Sequence, residues 1–565
     1  MKKEAFREEV VAALVRHSGL TVDEVEVQLT VPPKPELGDF AFPCFVLAKK
    51  LRAPPPAIAA DLAARAAAGL TLVEKAAPSG PYVNFTLNRP LYAEAVLREA
   101  IAEGAAYGTS NEGQGKVVAI DYSSPNIAKP FHVGHLRSTI IGSALYRLFG
   151  ALGYKPVGIN HLGDWGTQFG KQIVGLKRWG SPADLNDLMA LNRLYVKYHA
   201  EERNIPELAG ESREWFRRQE AGDKEALEYW RAIRDTSLEY FKRIYDRLGV
   251  KFDAYTGESF FNDKMEPIIE RAKSMGLTSV SEGALVIDLS SQGLETALLR
   301  KTDGATLYMT RDIAAAEYRH ETYRFHKLLY VVGTAQSLHF QQLFAVLKLL
   351  GHPWASDCVH VAFGLVQGMS TRQGNVIYLE ELLDEAKTRT LAHMREHIEK
   401  RSGLEDDDAV AEAVGIAAIF FSDLSKTRIR DYSFDWDRAI SFEGDTGPYL
   451  MNAHARIAGI VRKCGIDLDP AADLSPLVEP EAHQLVSLAG RYQTVLREAA
   501  RHHEPSVLAG YLLDLAHALH ASYRSLRVKD EEPRTARARL LLFTVVKDIL
   551  ASGLRILGIA PLERM

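Results

Sequence analysis

Val117-Val-Ala-Ile-Asp121 runs straight into Tyr122-Ser-Ser-Pro-Asn-Ile-Ala-Lys-Pro-Phe-His-Val-Gly-His135. Four consecutive apolar residues ending in an acid predict a strand buried on both faces, as in parallel sheets. The polar turn behind it carries two prolines and leads into a segment with helical apolar spacing over 136–150. A second strand is expected at 156–160, followed by a glycine-rich loop at 163–170 and another helix. Strands alternating with helices imply a parallel sheet with crossover connections, and such sheets bind ligands beyond the carboxyl ends of their strands.

The same rhythm returns after a long helical stretch at 177–248, with strand candidates at 284–289, 328–332 and 359–362. The middle, about 177–280, therefore reads as a helical insertion between two halves of one nucleotide-binding fold. Upstream, helical patterns at 4–16, 42–51 and 58–68, a breaker-rich connection at 31–38 and a strand-like run at 82–87 suggest a small α+β unit. A Gly/Ser/Thr/Asn-rich stretch at 104–115 leads out of it. From about residue 411 the pattern is all helical. The expected division is 1–110, 111–437 and 438–565.

The composition, 47% hydrophobic and 25% charged over 565 residues, is that of a globular multidomain chain and excludes disordered, collagenous and disulfide-scaffold classes. Net charge is −5, but the tail from Leu485 onward holds 12 basic and 8 acidic residues, so the basic excess is local. That permits a nucleic-acid partner without requiring one. Three scattered cysteines, Cys44, Cys358 and Cys464, offer no metal-ligand spacing and fit a reducing compartment. No zinc motif is present, and no apolar run reaches the ~20 residues of a membrane span. The expected location is the cytoplasm.

Two segments carry chemistry. In the first strand-to-helix turn, His132 and His135 flank Gly134. Glycine admits a ligand close to the backbone, the following helix offers free N–H groups to phosphate, and histidine can donate to phosphoryl oxygens as charge builds. Over two hundred residues later, Phe363-Gly-Leu-Val-Gln-Gly-Met-Ser-Thr-Arg-Gln-Gly374 is a glycine-rich loop after a strand candidate, with Arg372 placed to stabilise a leaving pyrophosphate.

In this order, HVGH and GMSTR resemble the paired HIGH and KMSKS signatures of class I aminoacyl-tRNA synthetases. SSPNIAKPFHVGHLRSTIIG, NHLGDWGTQFG, LYMTRDIAAA and VVGTAQSLHFQQ, with the C-terminal segment from Arg537 to Met565, narrow the resemblance to the arginyl-tRNA synthetases over essentially the whole chain. It implies a Rossmann-type α/β catalytic domain with a helical insertion, an N-terminal additional domain touching the tRNA elbow, and an all-α anticodon-binding bundle.

The resemblance further implies the substrates L-arginine, ATP with Mg²⁺ and tRNA(Arg), activation that depends on tRNA, a monomer, and no protein-bound metal. Lys129, His132, His135, Ser370 and Arg372 are the expected catalytic residues. Gly368 and Thr371 stand where the class signature has lysines, and Lys129 is the natural substitute. ATP is expected at His132, Gly134, His135, His339, Gln341, Gly364, Met369 and Ser370. Asp121, Tyr308 and Asp312 are expected to hold the guanidinium. Ser124, Asn126 and Gln336 would fix the other end of arginine, with His135 near its carboxylate. For tRNA the resemblance implies a stacking Tyr449, then His454 and Arg456, and a basic cluster of Arg524, Arg527, Lys529, Arg534, Arg537 and Arg539. The alternative is a catalytically inactive tRNA-binding paralogue.

Overall fold

The computed structural model describes residues 3–302, 308–368, 377–397 and 407–565. The N-terminal unit comprises helices α1 (Glu4–Ser18) and α2 (Val22–Gln28), strand β1 (Phe40–Pro43), helices α3 (Phe45–Leu51) and α4 (Pro55–Ala66), strands β2 (Val73–Ser79) and β3 (Tyr82–Leu87), and helix α5 (Arg89–Glu103). Its strands form an antiparallel sheet of order β1-β3-β2, packed on a core that includes Phe6, Leu14, Phe42, Leu62 and Phe85. The helix expected from residue 42 starts later because Phe42 pairs with Val83 in the sheet, and α3 forms only beyond Pro43. Helix α5 serves two cores. Ala95 faces the N-terminal one, while Val96, Leu97 and Ala100 join the large core shared by the rest of the chain.

The central unit begins with β4 (Val117–Asp121), α6 (Val133–Ala151), β5 (Lys155–Asn160) and α7 (Gln168–Trp179). Helices α8 (Leu188–Glu201), α9 (Glu207–Glu220) and α10 (Lys224–Leu248) are inserted before the short β6 (Ala254–Tyr255) and α11 (Met265–Ser274). Then come β7 (Thr278–Ser281), β8 (Ala284–Ile287), β9 (Ala297–Arg300), α12 (Tyr308–Tyr323), β10 (Lys327–Tyr330), α13 (Ser337–Leu349), β11 (Cys358–His360) and β12 (Val366–Gln367).

Five strands form one parallel sheet of order β11-β10-β4-β5-β6. The order reverses direction between β4 and β10, which makes a crevice at their carboxyl ends the topological switch point. Asp121, the last residue of β4, stands there in register with Tyr330 and Ile159. The strand expected at 284–289 exists as β8 but belongs to a separate antiparallel sheet of order β7-β8-β9. A two-residue turn, Glu282 and Gly283, both at positive φ, joins β7 to β8, and such a turn can only pair neighbours antiparallel.

Helices α14 (Leu379–His397) and α15 (Asp407–Leu424), strand β13 (Tyr432–Ser433) and the short α16 (Trp436–Ala439) lead into α17 (Gly447–Lys463), α18 (Pro480–His502), α19 (Pro505–Ser522) and α20 (Pro533–Leu557). This bundle is sealed by apolar positions at helical spacing, such as Leu541, Val545, Ile549 and Leu550 of α20.

Candidate active site

Between β4 and α6 the backbone takes positive φ at three non-glycine residues, Ser123, Ser124 and Ala128. Such residues cost on the order of 1–3 kcal/mol each and persist only where the surroundings hold them. Here they are held. The Ser123 amide donates to Ser138 Oγ at 2.9 Å, Thr139 Oγ1 donates to Ser123 Oγ at 2.8 Å, and the Ala128 amide donates to Ser237 Oγ at 3.1 Å. The loop after β5 clamps the other side: Ile127 donates to the Gly163 carbonyl and Gly163 to that of Pro125, both at 3.1 Å. A Cβ on Gly163 would lie 2.3 Å from Asn126 Oδ1, so this contact needs glycine.

His132 caps α6. Its Nδ1 accepts the Gly134 amide at 3.0 Å, which leaves Nε2–H free to donate toward a ligand. A Cβ at position 134 would sit 2.8 Å from the imidazole, so Gly134 permits the close fold-back. The His132 and His135 rings lie 3.9 Å apart, and His135 stacks on Phe131 at 5.3 Å. Burial pushes His132 down, with Lys129 adding to the shift. Burial pushes His135 down to about 3, with His132 and Lys129 adding. Both are neutral donors at physiological pH. His135 Nδ1 is buried without a partner among the described residues. Lys129 is half-buried, with its ammonium 5.4 Å from the centre of the Tyr195 ring, and no carboxylate pairs with it among the described residues.

Met369, Ser370 and Arg372, expected in the second signature, lie outside the described residues. The upstream flank of that segment is tied to β13 and the turn before it, the downstream flank to the first signature itself. Upstream, β12 pairs in parallel with β13, and the Gly364 amide donates to Arg428 O at 2.9 Å. Downstream, Tyr378 bridges His132, Val133 donates to Ile377 O at 3.3 Å, and Leu379 donates to Phe131 O at 2.8 Å.

Across the crevice, Tyr308 and Asp312 share a face in the first turn of α12, and Tyr308 is 66% exposed. Asp312 Oδ2 lies 2.6 Å from Nε2 of His339, so His339, expected at ATP, is joined to an acid expected at the guanidinium. Arg311 turns away from Asp312 toward Glu258 Oε1 at 3.7 Å. Asn126 and Gln336 are exposed on the loops beyond β4 and β10, and Gln341 is exposed on α13.

Asp121 departs from expectation. It is 6% exposed and both oxygens are engaged within the chain: Oδ2 with Arg319 Nη2 at 2.7 Å, Oδ1 accepting Ser124 Oγ at 2.8 Å. A carboxylate this buried needs a counter-ion, and the fold supplies one. Glu258, unforeseen from sequence, lies at the same cluster. Burial pushes it up to about 7 against the pull of Arg311, with Asp164 and Asp312 adding to the rise. Nothing in the run Thr256-Gly-Glu-Ser259 signals this; only the return of the chain through β6 places it.

Two residues expected at the RNA lie inside the bundle. Tyr449 is buried and its hydroxyl is hydrogen-bonded to His520 Nδ1 at 2.6 Å. His454 is 1% exposed and its Nδ1 lies 2.9 Å from the Leu562 carbonyl. Both follow from Gly447-Pro-Tyr-Leu450 and the residues after it folding as the inner face of α17. Arg456 is exposed over the Tyr523 ring at 4.3 Å, and Arg524, Arg527, Lys529 and Arg537 are exposed too. Arg534 pairs with Asp473. Arg539 leaves the cluster, because it is buried against Glu479 and Glu531.

Three family models match the chain: "tRNA synthetases class I (R), catalytic domain" over residues 96–436, "DALR anticodon binding domain" over 450–565, and "Arginyl tRNA synthetase N terminal domain" over 3–87. An arginine–tRNA ligase of Halothermothrix orenii is 42% identical over 568 residues, covering 99% of this chain and 100% of the relative. One of Streptococcus equi subsp. equi is 47% identical over 544 residues, covering 95% of each. Among solved structures, Thermus thermophilus arginyl-tRNA synthetase superposes with a TM-score of 0.83 at 28% identity, covering 100% of both chains. The Plasmodium falciparum enzyme, at 23% identity and a TM-score of 0.84 over 100% of this chain and 99% of that one, shares the fold. The chain belongs to the arginyl-tRNA synthetases, a family of class I aminoacyl-tRNA synthetases.

Proposed function

We propose that the chain ligates L-arginine to tRNA(Arg) at the β4/β10 crevice, with ATP, as its Mg²⁺ complex, converted to AMP and pyrophosphate. The observation that carries this is the apposition of two groups across one switch point. Neutral His132 and His135 with Lys129 stand at the N-terminus of α6, and Tyr308, Asp312 and Glu258 line the opposite side.

Arginine's carboxylate oxygen attacks the α-phosphorus, the bond to the bridging oxygen breaks, and pyrophosphate leaves. The terminal ribose hydroxyl of tRNA then attacks the arginyl carbonyl, and AMP leaves. In the first step, charge grows on phosphoryl oxygens, where the Nε2–H of His132, the amides of α6 and the mobile point charge of Lys129 act. Gly364 and Gln341 border the nucleotide, and Met369, Ser370 and Arg372 belong to its closing loop. Asp312, Tyr308 and Glu258 accept from the planar guanidinium fork, each charge-assisted bond contributing about 1.5–3 kcal/mol. Lysine lacks that fork and leaves acceptors unpaired. Ser124, Asn126 and Gln336 hold the amino-acid end, with His135 near the carboxylate. Arg456, Arg524 and Arg527 meet the RNA backbone.

Activation needs bound tRNA, and the enzyme works as a cytoplasmic monomer; no helix among the described residues is long and apolar enough to cross a membrane. The inactive alternative has no observation in its favour. Charging of total tRNA with labelled arginine tests the reading: incorporation of arginine and of no other amino acid is expected, and retained tRNA binding without charging overturns it.

A further inference from the structure

Arg319 lies on α12 seven residues beyond Asp312, two turns along the same face, and is 1% exposed. Its guanidinium contacts Asp121 at 2.7 Å and sits over the Tyr330 ring at 5.4 Å from the centroid. His161, partly buried with Nδ1 2.9 Å from Thr256 O, stands close enough for the charges of Arg319, Asp121 and Asp312 to act on it. A buried ion pair is seldom an efficient source of stability, since well-packed apolar residues serve as well. This pair stands beside the pocket proposed for a substrate that is itself a guanidinium.

We propose that Arg319 is a specificity-setting positioning residue. As a resident guanidinium it occupies Asp121 and confines the substrate's guanidinium to Asp312 and Glu258. This rests on the arginine-ligating reading above.

The physical reason is register. With Asp121 free, arginine would have two carboxylate-lined resting places, one at the end of β4 and one at α12. Only one leaves its carboxylate in line with the α-phosphorus, and displacements of this order are costly to catalysis. Filling the β4 place from within removes the unproductive pose. The pair has a second effect. Asp121 Oδ1 accepts Ser124 Oγ, so the ion pair also fixes the strained turn that presents Asn126.

The test is a double-variant cycle on the full-length enzyme: Asp121→Asn, Arg319→Gln and the two combined. KM for arginine and for ATP are read by ATP–pyrophosphate exchange at saturating tRNA, and melting temperature is read beside them. Asp121→Asn leaves an unpaired cation next to a cationic substrate and should raise KM for arginine roughly tenfold or more, with KM for ATP little changed. The combined variant removes both charges and should return KM for arginine to within about threefold of wild type. If Asp121 instead contacts the substrate, the combined variant stays at least as impaired as Asp121→Asn, and the proposal falls. A combined variant that unfolds makes the pair purely structural, which also overturns it.

A second measurement uses guanidinium ion at millimolar concentration. It should inhibit wild type competitively with arginine yet raise the rate of Arg319→Ala by refilling the vacated place. No activation of that variant contradicts the proposal. Absence of any arginine-dependent exchange in wild type would indict the ligase reading itself.

Discussion

Arg137 Nε lies 3.0 Å from Asp423 Oδ2, with 2% and 3% of the two side chains exposed. Arg137 follows His135 by two residues on α6, and Asp423 lies in the last turn of α15. Tyr432 of β13 donates to Asp423 Oδ2 at 3.1 Å, and Arg137 Nη1 donates to Arg430 O at 3.0 Å. Because β13 pairs with β12, the helix of the first signature is tied to the strand that enters the second. Arg137→Met leaves a buried carboxylate without its cation and should cost about 3–5 kcal/mol, whereas Arg137→Met with Asp423→Leu should recover most of that. Urea denaturation of the two variants decides it; equal losses would mean the charges are not coupled.

Glu258 gives a pH dependence with a definite sign. Burial pushes its carboxyl up to about 7. A bound guanidinium favours the ionised form, so binding expels the proton. Arginine affinity should therefore be full above pH 7 and weaken as pH falls through it, by at most about tenfold per unit. KM for arginine measured from pH 6 to 8.5 should rise toward acid while KM for ATP does not follow. Glu258→Gln should raise KM and flatten the profile. A flat wild-type profile would place Glu258 outside the guanidinium contact.

The first signature predicts two separable losses. Gly134→Ala places a methyl 2.8 Å from the His132 ring and must displace it, so adenylate formation should fall by roughly a hundredfold or more with the melting temperature nearly kept. Lys129→Ala should slow adenylate formation far more than it weakens tRNA binding. Single-turnover kinetics beside a tRNA binding titration separates these; parallel losses would point to misfolding.

How far the sequence was readable differs from element to element. β4 and β10 announce themselves because strands buried on both faces read as apolar runs. The two-residue β6 and the flanks of the second signature carry no such pattern, since their pairing is set by distant segments. That Tyr308 and Asp312 share a helix face follows from their spacing of four. Asp121 was legible as a strand-end acid, yet its partner Arg319 lies nearly two hundred residues away and leaves no local trace. The inward direction of Tyr449 and His454 left no local trace either: their polar tips find partners in α19 and in the segment after α20.

That distinction predicts opposite behaviour in the C-terminal bundle. Arg524→Glu and Arg527→Glu, both exposed, should weaken tRNA binding and lower the slope of log affinity against log salt by about one unit per contact. Tyr449→Phe removes one hydrogen bond to His520 and should cost about 1 kcal/mol of stability without changing that slope. Salt-dependent tRNA titrations compare them directly.

In the proposed reaction the β4/β10 crevice activates arginine with tRNA in place. ATP–pyrophosphate exchange run with each of the twenty amino acids, with and without total tRNA, tests it most directly. Exchange is expected with arginine alone, and only when tRNA is present. Exchange with a different amino acid, or full-rate arginine exchange without tRNA, would contradict it.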